Sequence, residues 1–184
     1  MKKERIILIS LFGLLMITSS SYIWAEYRYN DGYKFFKTQG LFLVIGIILM
    51  IVMSKIDHHK YYKNVNKIFF SILLLLILVL IPGIGKLRNG SRSWFGIGSL
   101  GIQPSEFMKL GMILFISKYL VKNNKNIKDI KKGVFPILLI LLLVFGLIML
   151  QPDFGTGIVI VMISIALMFV GGVNFNFFIK IGIL

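Results

Sequence analysis

The residues best suited to chemistry lie together between positions 89 and 110, in a chain that is otherwise mostly apolar. Glu106 and Lys109 are three residues apart, so their side chains would share one face of a helix. Pro104 suits the first turn of that helix, and Glu106 is favourable at its positive end. A helix start with a local ion pair would explain these residues. An ionisable side chain inside a membrane span, however, usually faces a bundle interior or a water-filled cavity, so a polar binding site is the competing interpretation.

A second copy of the pattern occurs at residues 151–157, where "QPDFGTG" repeats the Gln-Pro pair followed by an acidic residue. Gln103 and Asp153 are therefore candidates for one polar site. Asp153 has no lysine or arginine near it in sequence, so it either caps its own helix or finds a cation across the bundle. Gly155 and Gly157 would permit close approach of a neighbouring helix.

Arg92 lies in the glycine-rich stretch "RNGSRSWFGIG". The guanidinium fork suits phosphate oxygens, and glycines let the backbone approach a ligand. The alternative is an ordinary interfacial loop anchored by Trp94 and Phe95. Together these residues predict an outward-facing polar cavity of mixed charge, suited to an anionic amphiphile with a phosphate-like head. They leave open whether that ligand is moved or chemically converted.

Other classes of site have little support. Asp57, His58 and His59 are adjacent rather than spaced i, i+4, so no metal site is predicted there. The chain has no cysteine, which excludes thiolate ligands and thiol catalysis. No cofactor motif is evident, and a divalent cation would be compatible with the cavity but has no supporting pattern. The net charge of +14 comes with no basic stripe interleaved with aromatics, so no nucleic-acid partner is predicted.

These polar residues must be positioned by membrane-spanning helices. The chain has 184 residues, 57% hydrophobic and 15% charged, with a mean hydropathy of +0.87, which indicates an integral membrane protein. Its apolar runs are continuous rather than alternating, which favours an all-α polytopic helix bundle over a β-barrel. Residues 1–184 are predicted to form a single transmembrane domain. The six predicted spans are 6–24, 39–53, 68–82, 105–120, 134–150 and 154–170. The first could be a signal peptide, but its long apolar run without a clear cleavage site favours a retained helix.

The distribution of basic residues predicts the orientation. The N-terminus and the second and fourth connections together carry thirteen basic residues, whereas the first, third and fifth connections carry six. The more basic side is expected to be cytoplasmic, which places the N-terminus inside and residues 89–104 outside. The chain finishes in the apolar sequence "GGVNFNFFIKIGIL" with no polar tail, so we expect it to be the front part of a longer chain.

The motifs "NGSRSW", "QPSEFMKL" and "QPDFGTG", in this order and each at the end of a span, resemble the SEDS family (shape, elongation, division and sporulation proteins), which includes FtsW, RodA and SpoVE. The first two motifs are closer to the FtsW/SpoVE branch. The resemblance covers essentially the whole chain and implies that its spans are the first six of a ten-span fold in the bacterial plasma membrane.

The resemblance implies a peptidoglycan glycosyltransferase that polymerises lipid II during cell division, cell-shape maintenance or sporulation. Its expected partners are a class B penicillin-binding transpeptidase and other membrane proteins of the division or elongation machinery. Arg92 and Lys109 match basic motif positions, which suggests that they stabilise the leaving diphosphate. Gln103, Glu106 and Asp153 also match and would shape the cavity.

The family's catalytic aspartate lies in an outer loop beyond these residues, so no catalytic residue is assigned here and the chain alone is expected to be inactive. A lipid II flippase and a non-catalytic membrane scaffold remain alternatives.

Overall fold

The computed structural model describes residues 2–88, 90–97, 100–127 and 129–180. It divides at His58 into two compact units, residues 1–58 and 59–184. Most of the chain is helical, as the sequence predicts, and the two units are described in turn.

The first unit is a hairpin of two long helices, α1 (Lys2–Tyr29) and α2 (Lys34–Lys55). Their apolar side chains are largely exposed, which suits contact with lipid. The turn is held by polar bonds: Glu26 accepts a hydrogen bond from the Gly32 N–H at 2.7 Å, and Lys37 forms an ion pair with Asp31 at 2.9 Å.

The second unit begins within the first turn of α3 (His58–Leu78), which is followed by strands β1 (Lys86–Arg88), β2 (Ser91–Ile97) and β3 (Leu100–Ile102). Next come α4 (Pro104–Lys122), a 3₁₀ turn (Asn124–Asn126) and a π-helical turn (Ile130–Val134) that leads directly into α5 (Phe135–Met149). The last helices are α6 (Phe154–Val170) and the short α7 (Phe175–Lys180).

The core of this unit forms where α4 packs on α6 and α6 packs on α5. On α4 the buried positions recur every three or four residues, as expected for one buried helix face. They are Pro104, Ser105, Met108, Gly111, Met112, Ile116 and Leu120. Glu106 and Lys109 are not part of this buried face; Glu106 is exposed and Lys109 is partly exposed.

Helices occur at all six predicted span positions, with different bounds. The largest difference concerns the predicted span 68–82, because α3 begins at His58 and ends at Leu78. The apolar run itself begins at Ile68, after Lys63 and Lys67, but lysine is a good helix former and the helix includes both lysines. By length and composition, four helices of the described residues could cross a membrane: α1, α2, α3 and Ile130–Met149. Because α6 is shorter and α4 carries four charged residues, six spans with a cytoplasmic N-terminus stays a prediction.

The sheet is an addition that the all-α prediction did not include. Strands β1, β2 and β3 form an antiparallel sheet in that order, with Leu87 opposite Arg92 and Gly96 opposite Gly101. The Arg88 guanidinium lies 5.1 Å from the Trp94 ring centroid, over its face. Gly101 packs against this pair, and a Cβ there would lie 2.8 Å from an Arg88 nitrogen. The polar stretch is thus a small folded layer rather than an open loop.

Candidate functional site

The two Gln-Pro motifs meet in space. Gln103 and Asp153 are the N-cap residues of α4 and α6. Because their side chains are bonded to each other, the two helices begin at the same end of the unit. The Gln103 Nε2 donates a hydrogen bond to Asp153 Oδ2 at 2.6 Å. Asp153 Oδ1 accepts a bond from the Thr156 N–H at 3.2 Å, which caps α6. Of the two interpretations of Asp153, the structure therefore supports the cap, with an amide rather than a cation as its partner across the bundle.

Gln151 is the buried centre of the same region, with a fully buried side chain. Its Nε2 donates to the Leu76 carbonyl at 3.2 Å, which ties the start of α6 to the end of α3. Its own backbone carbonyl accepts a bond from the Ser91 hydroxyl at 2.5 Å, which ties it to strand β2. We call Ser91, Gln103, Gln151 and Asp153 the polar hub.

Ser91 and Ser93 are members of this region that the sequence interpretation missed. Their hydroxyl oxygens lie 2.9 Å apart, and Ser93 is buried. Because the single Ser91 hydrogen goes to the Gln151 carbonyl, the Ser93 hydroxyl must be the donor between the two serines. Their spacing of two on a strand places both on one face of the sheet, but only recognition of the strand could have revealed this.

Glu106 and Lys109 form the predicted ion pair along α4. The Lys109 Nζ lies 2.8 Å from Glu106 Oε2, and the side chains are 24% and 54% exposed respectively. An ion pair with this exposure contributes only about 0–1 kcal/mol in water. The ammonium group has three donors, so Lys109 can keep this partner and still bind a further anion.

Arg92 lies on β2 directly after Ser91 and is half-buried. Its Cγ lies 3.2 Å from the position that a Cβ of Gly85 would occupy. Among the residues that the structure describes, Arg92 forms no ion pair, nor does it bond to the other four predicted site residues. The structure thus brings together two pairs, Gln103 with Asp153 and Glu106 with Lys109. Arg92 follows Ser91 of the polar hub along β2, and its side chain points to the opposite face of that strand.

Two buried oxygens have no hydrogen-bond partner among the described residues, the Ser105 Oγ and the Gln151 Oε1. Ser105 follows Pro104 in the first turn of α4, and Gln151 belongs to the polar hub. Chemically, this end of the unit combines the Arg92 guanidinium, which has no ion-pair partner in the described part of the chain, with the Lys109 ammonium group and the N-termini of two helices. Such a set can hold an anion, since guanidinium, ammonium and helix N-termini all favour negative charge.

Comparison with known proteins gives consistent matches over nearly the whole chain. The family described as "Cell cycle protein", defined by FtsW, RodA and SpoVE, matches residues 3–184. "Stage V sporulation protein E" of Bacillus subtilis (strain 168) is 43% identical over 178 residues, which cover 97% of this chain and 49% of that protein. "Probable peptidoglycan glycosyltransferase FtsW" of Francisella salina is 36% identical over 162 residues, covering 88% of this chain and 40% of that protein.

Solved structures share the fold. The crystal structure of the rod shape determining protein RodA of Thermus thermophilus superposes with a TM-score of 0.70 at 28% identity, covering 95% of this chain and 56% of that one. A structure titled "Structural coordination of polymerization and crosslinking by a peptidoglycan synthase complex" matches with a TM-score of 0.72 at 28% identity, covering 93% and 49%. The chain spans about half the length of the relatives it matches.

Proposed function

Since the chain belongs to the cell cycle protein family of FtsW, RodA and SpoVE, we propose that it serves as a multi-pass membrane peptidoglycan glycosyltransferase that polymerises lipid II. The observation that carries the proposal is the cationic end of the second unit, where Arg92 follows Ser91 of the polar hub along β2 and Lys109 lies one turn into α4. The names of the FtsW relatives support the reaction class.

The proposed roles follow from the charge that develops during sugar transfer. The leaving group is a diphosphate, whose negative charge must be stabilised as the bond to the sugar breaks. We assign this role to Arg92 and Lys109, which have donors to spare. Gln103, Glu106 and Asp153 shape the site by fixing the starts of α4 and α6 and by holding Lys109.

The acceptor hydroxyl also needs a base. Asp153 is a poor candidate, because each of its two oxygens already accepts a hydrogen bond. The family resemblance puts the catalytic aspartate in an outer loop that is not among these residues. We therefore propose that residues 1–184 alone do not polymerise lipid II.

The proposed protein partner is a class B penicillin-binding transpeptidase. Support comes from the structural neighbour whose title joins polymerization with crosslinking in one complex. Other membrane proteins of the division or elongation machinery are further proposed partners.

The test is polymerisation of lipid II by the full-length protein with its transpeptidase. Arg92→Ala and Lys109→Ala should each lower the rate by roughly 10²–10³-fold, the usual loss when one donor to a developing anion is removed. Lys86→Ala is the matched control, since Lys86 is an exposed cation on neighbouring β1 outside the hub. Rates of both variants close to that of the control would contradict the assigned roles.

A second assay distinguishes the alternative functions. Exchange of labelled lipid II between the leaflets of liposomes, without glycan synthesis, would favour a flippase. Absence of both activities from a well-inserted, full-length protein would favour a scaffold.

A further inference from the structure

A cavity of about 310 Å³ lies between α3 and α4, at the opposite end of α3 from the polar hub. Its lining is rich in cationic, amide and aromatic side chains. These are Asn66, Phe115, Lys118, Tyr119, Lys122 and Asn123.

An open groove of about 560 Å³ continues from this cavity along α3 and shares Asn66 with it. The groove is lined further by Lys67, Phe70, Ser71 and Leu74, which follow one another at helical spacing on one face. Its composition changes from polar to apolar along the helix, and the side chains of Phe70 and Leu74 are 58% and 56% exposed. From residue 66 to residue 74 the groove runs for about 12 Å at the helical rise per residue.

The charge at the mouth of the groove is positive and largely uncompensated. Lys118 is held in place by the Tyr62 ring, whose centroid lies 5.2 Å from the Lys118 Nζ. Asp129 is the acidic residue that follows α4, and its carboxylate accepts bonds from the backbone of the π-helical turn. None of the cavity lysines forms an ion pair among the described residues.

We propose that the cavity and groove together bind one anionic glycerophospholipid, with its phosphate among Lys67, Lys118 and Lys122 and an acyl chain along Phe70 and Leu74. Basic pockets at the surface ends of membrane helices recognise acidic lipid head groups in this way. A zwitterionic lipid fits less well, because its own ammonium group would be repelled by the three lysines. The charge distribution predicts this end to be cytoplasmic, so the lipid would come from the inner leaflet, away from the polar hub.

Native mass spectrometry of the purified chain, with phosphatidylglycerol and phosphatidylcholine added in equal amounts, tests the proposal. The unmodified chain should retain one phosphatidylglycerol in preference. Lys118→Gln with Lys122→Gln should weaken this binding about thirty-fold, since each lysine near an anionic head group is worth roughly a factor of five. The matched control is Lys125→Gln with Lys131→Gln, which removes the same charge from the same end outside the cavity and should change binding less than about threefold.

A second variant tests the groove separately. Ser71→Trp should fill the groove and reduce phosphatidylglycerol retention while leaving all lysines in place. Leu142→Trp, on an exposed apolar position of α5, is its control and should have no effect. If the Lys118→Gln and Lys122→Gln double variant fails to fold, as judged by circular dichroism, a second double variant replaces it. Lys118→Arg with Lys122→Arg keeps the charge and should retain the lipid.

Three results would overturn the proposal. Equal weakening by the two lysine pairs would show a diffuse charge effect rather than a site. Competition by inorganic phosphate, together with no effect of Ser71→Trp, would show a head-group-sized anion site without a lipid chain. A fall in dimer fraction on Ser71→Trp with unchanged phospholipid would show that a second copy of the chain covers the groove.

Discussion

The bond between Gln103 and Asp153 should couple the starts of α4 and α6 energetically. A hydrogen bond to a carboxylate contributes about 1.5–3 kcal/mol, and the lower end applies because both side chains are partly exposed. Gln103→Ala should therefore cost about 1.5 kcal/mol, since the Gln103 side chain makes no cap bond of its own. Asp153→Ala should cost about 2.5 kcal/mol, because it also removes the cap on Thr156, worth about 1 kcal/mol.

The double variant is the decisive measurement. Once either partner is gone the bond is already lost, so the double variant should cost about 2.5 kcal/mol rather than the additive 4 kcal/mol. The free energy of unfolding can be measured by titrating the protein in mixed micelles with sodium dodecyl sulfate and following helix content by circular dichroism. Asp153→Asn is the control. Asparagine caps a helix as well as aspartate does, so this variant should keep the cap on Thr156 and lose only part of the bond to Gln103. Additivity of the single variants within about 0.5 kcal/mol would refute the coupling.

Three further predictions concern packing, pH and orientation. Gly157→Ala should destabilise the packing of α6 by about 1 kcal/mol, because its Cβ would lie 3.1 Å from the Phe145 ring, while the 2.7 Å contact with the terminal methyl of Met149 can be relieved by rotation of that flexible side chain. Gly155→Ala meets open space and should be tolerated in the same unfolding titration. Donation from the Lys37 ammonium lowers the pKa of Asp31, so the ion pair stabilises the hairpin turn above about pH 4. The turn should lose this stabilisation as the pH falls through the lowered pKa, and its amide hydrogens should then exchange faster. In Asp31→Asn this pH dependence should be absent. Leu87→Cys, in this cysteine-free chain, should be labelled from outside the cell, and labelling only from the cytoplasm would reverse the predicted orientation.

The positions of the six long helices could be predicted because their signals are local, although the bounds of α3 and the short α7 were not. Pro104 and Glu106 mark the start of α4, and the helix begins at Pro104. The Gln-Pro repeat also identified Gln103 and Asp153 as related positions, although the bond between them depends on how α4 packs against α6. Of the two glycines predicted to allow close helix approach, only Gly157 faces a neighbour, because Gly155 points to open space.

The sheet could not be predicted in the same way. β1 and β3 are each three residues long, too short for an alternating pattern to stand out. Their pairing depends on turns and on tertiary support, such as the bond from Ser91 to the Gln151 carbonyl. The burial of Gln151 could not be predicted from the sequence either, since its partner Leu76 lies on a helix distant in sequence.

The charge pattern at the hub end favours holding an anion over removing a proton. Both carboxylates of the Gln-Pro motifs are engaged, Glu106 with Lys109 and Asp153 with Gln103 and the α6 backbone. Positive charge is left by Arg92, which has no ion pair among the described residues, by the spare donors of Lys109 and by the N-termini of two helices. An anion bound at this end could draw on these charges without breaking an ion pair of Arg92 among the described residues, whereas a carboxylate acting as base would first have to give up a bond that holds a helix start. We therefore expect residues 1–184 to supply charge stabilisation in the proposed reaction, with the base supplied from outside them.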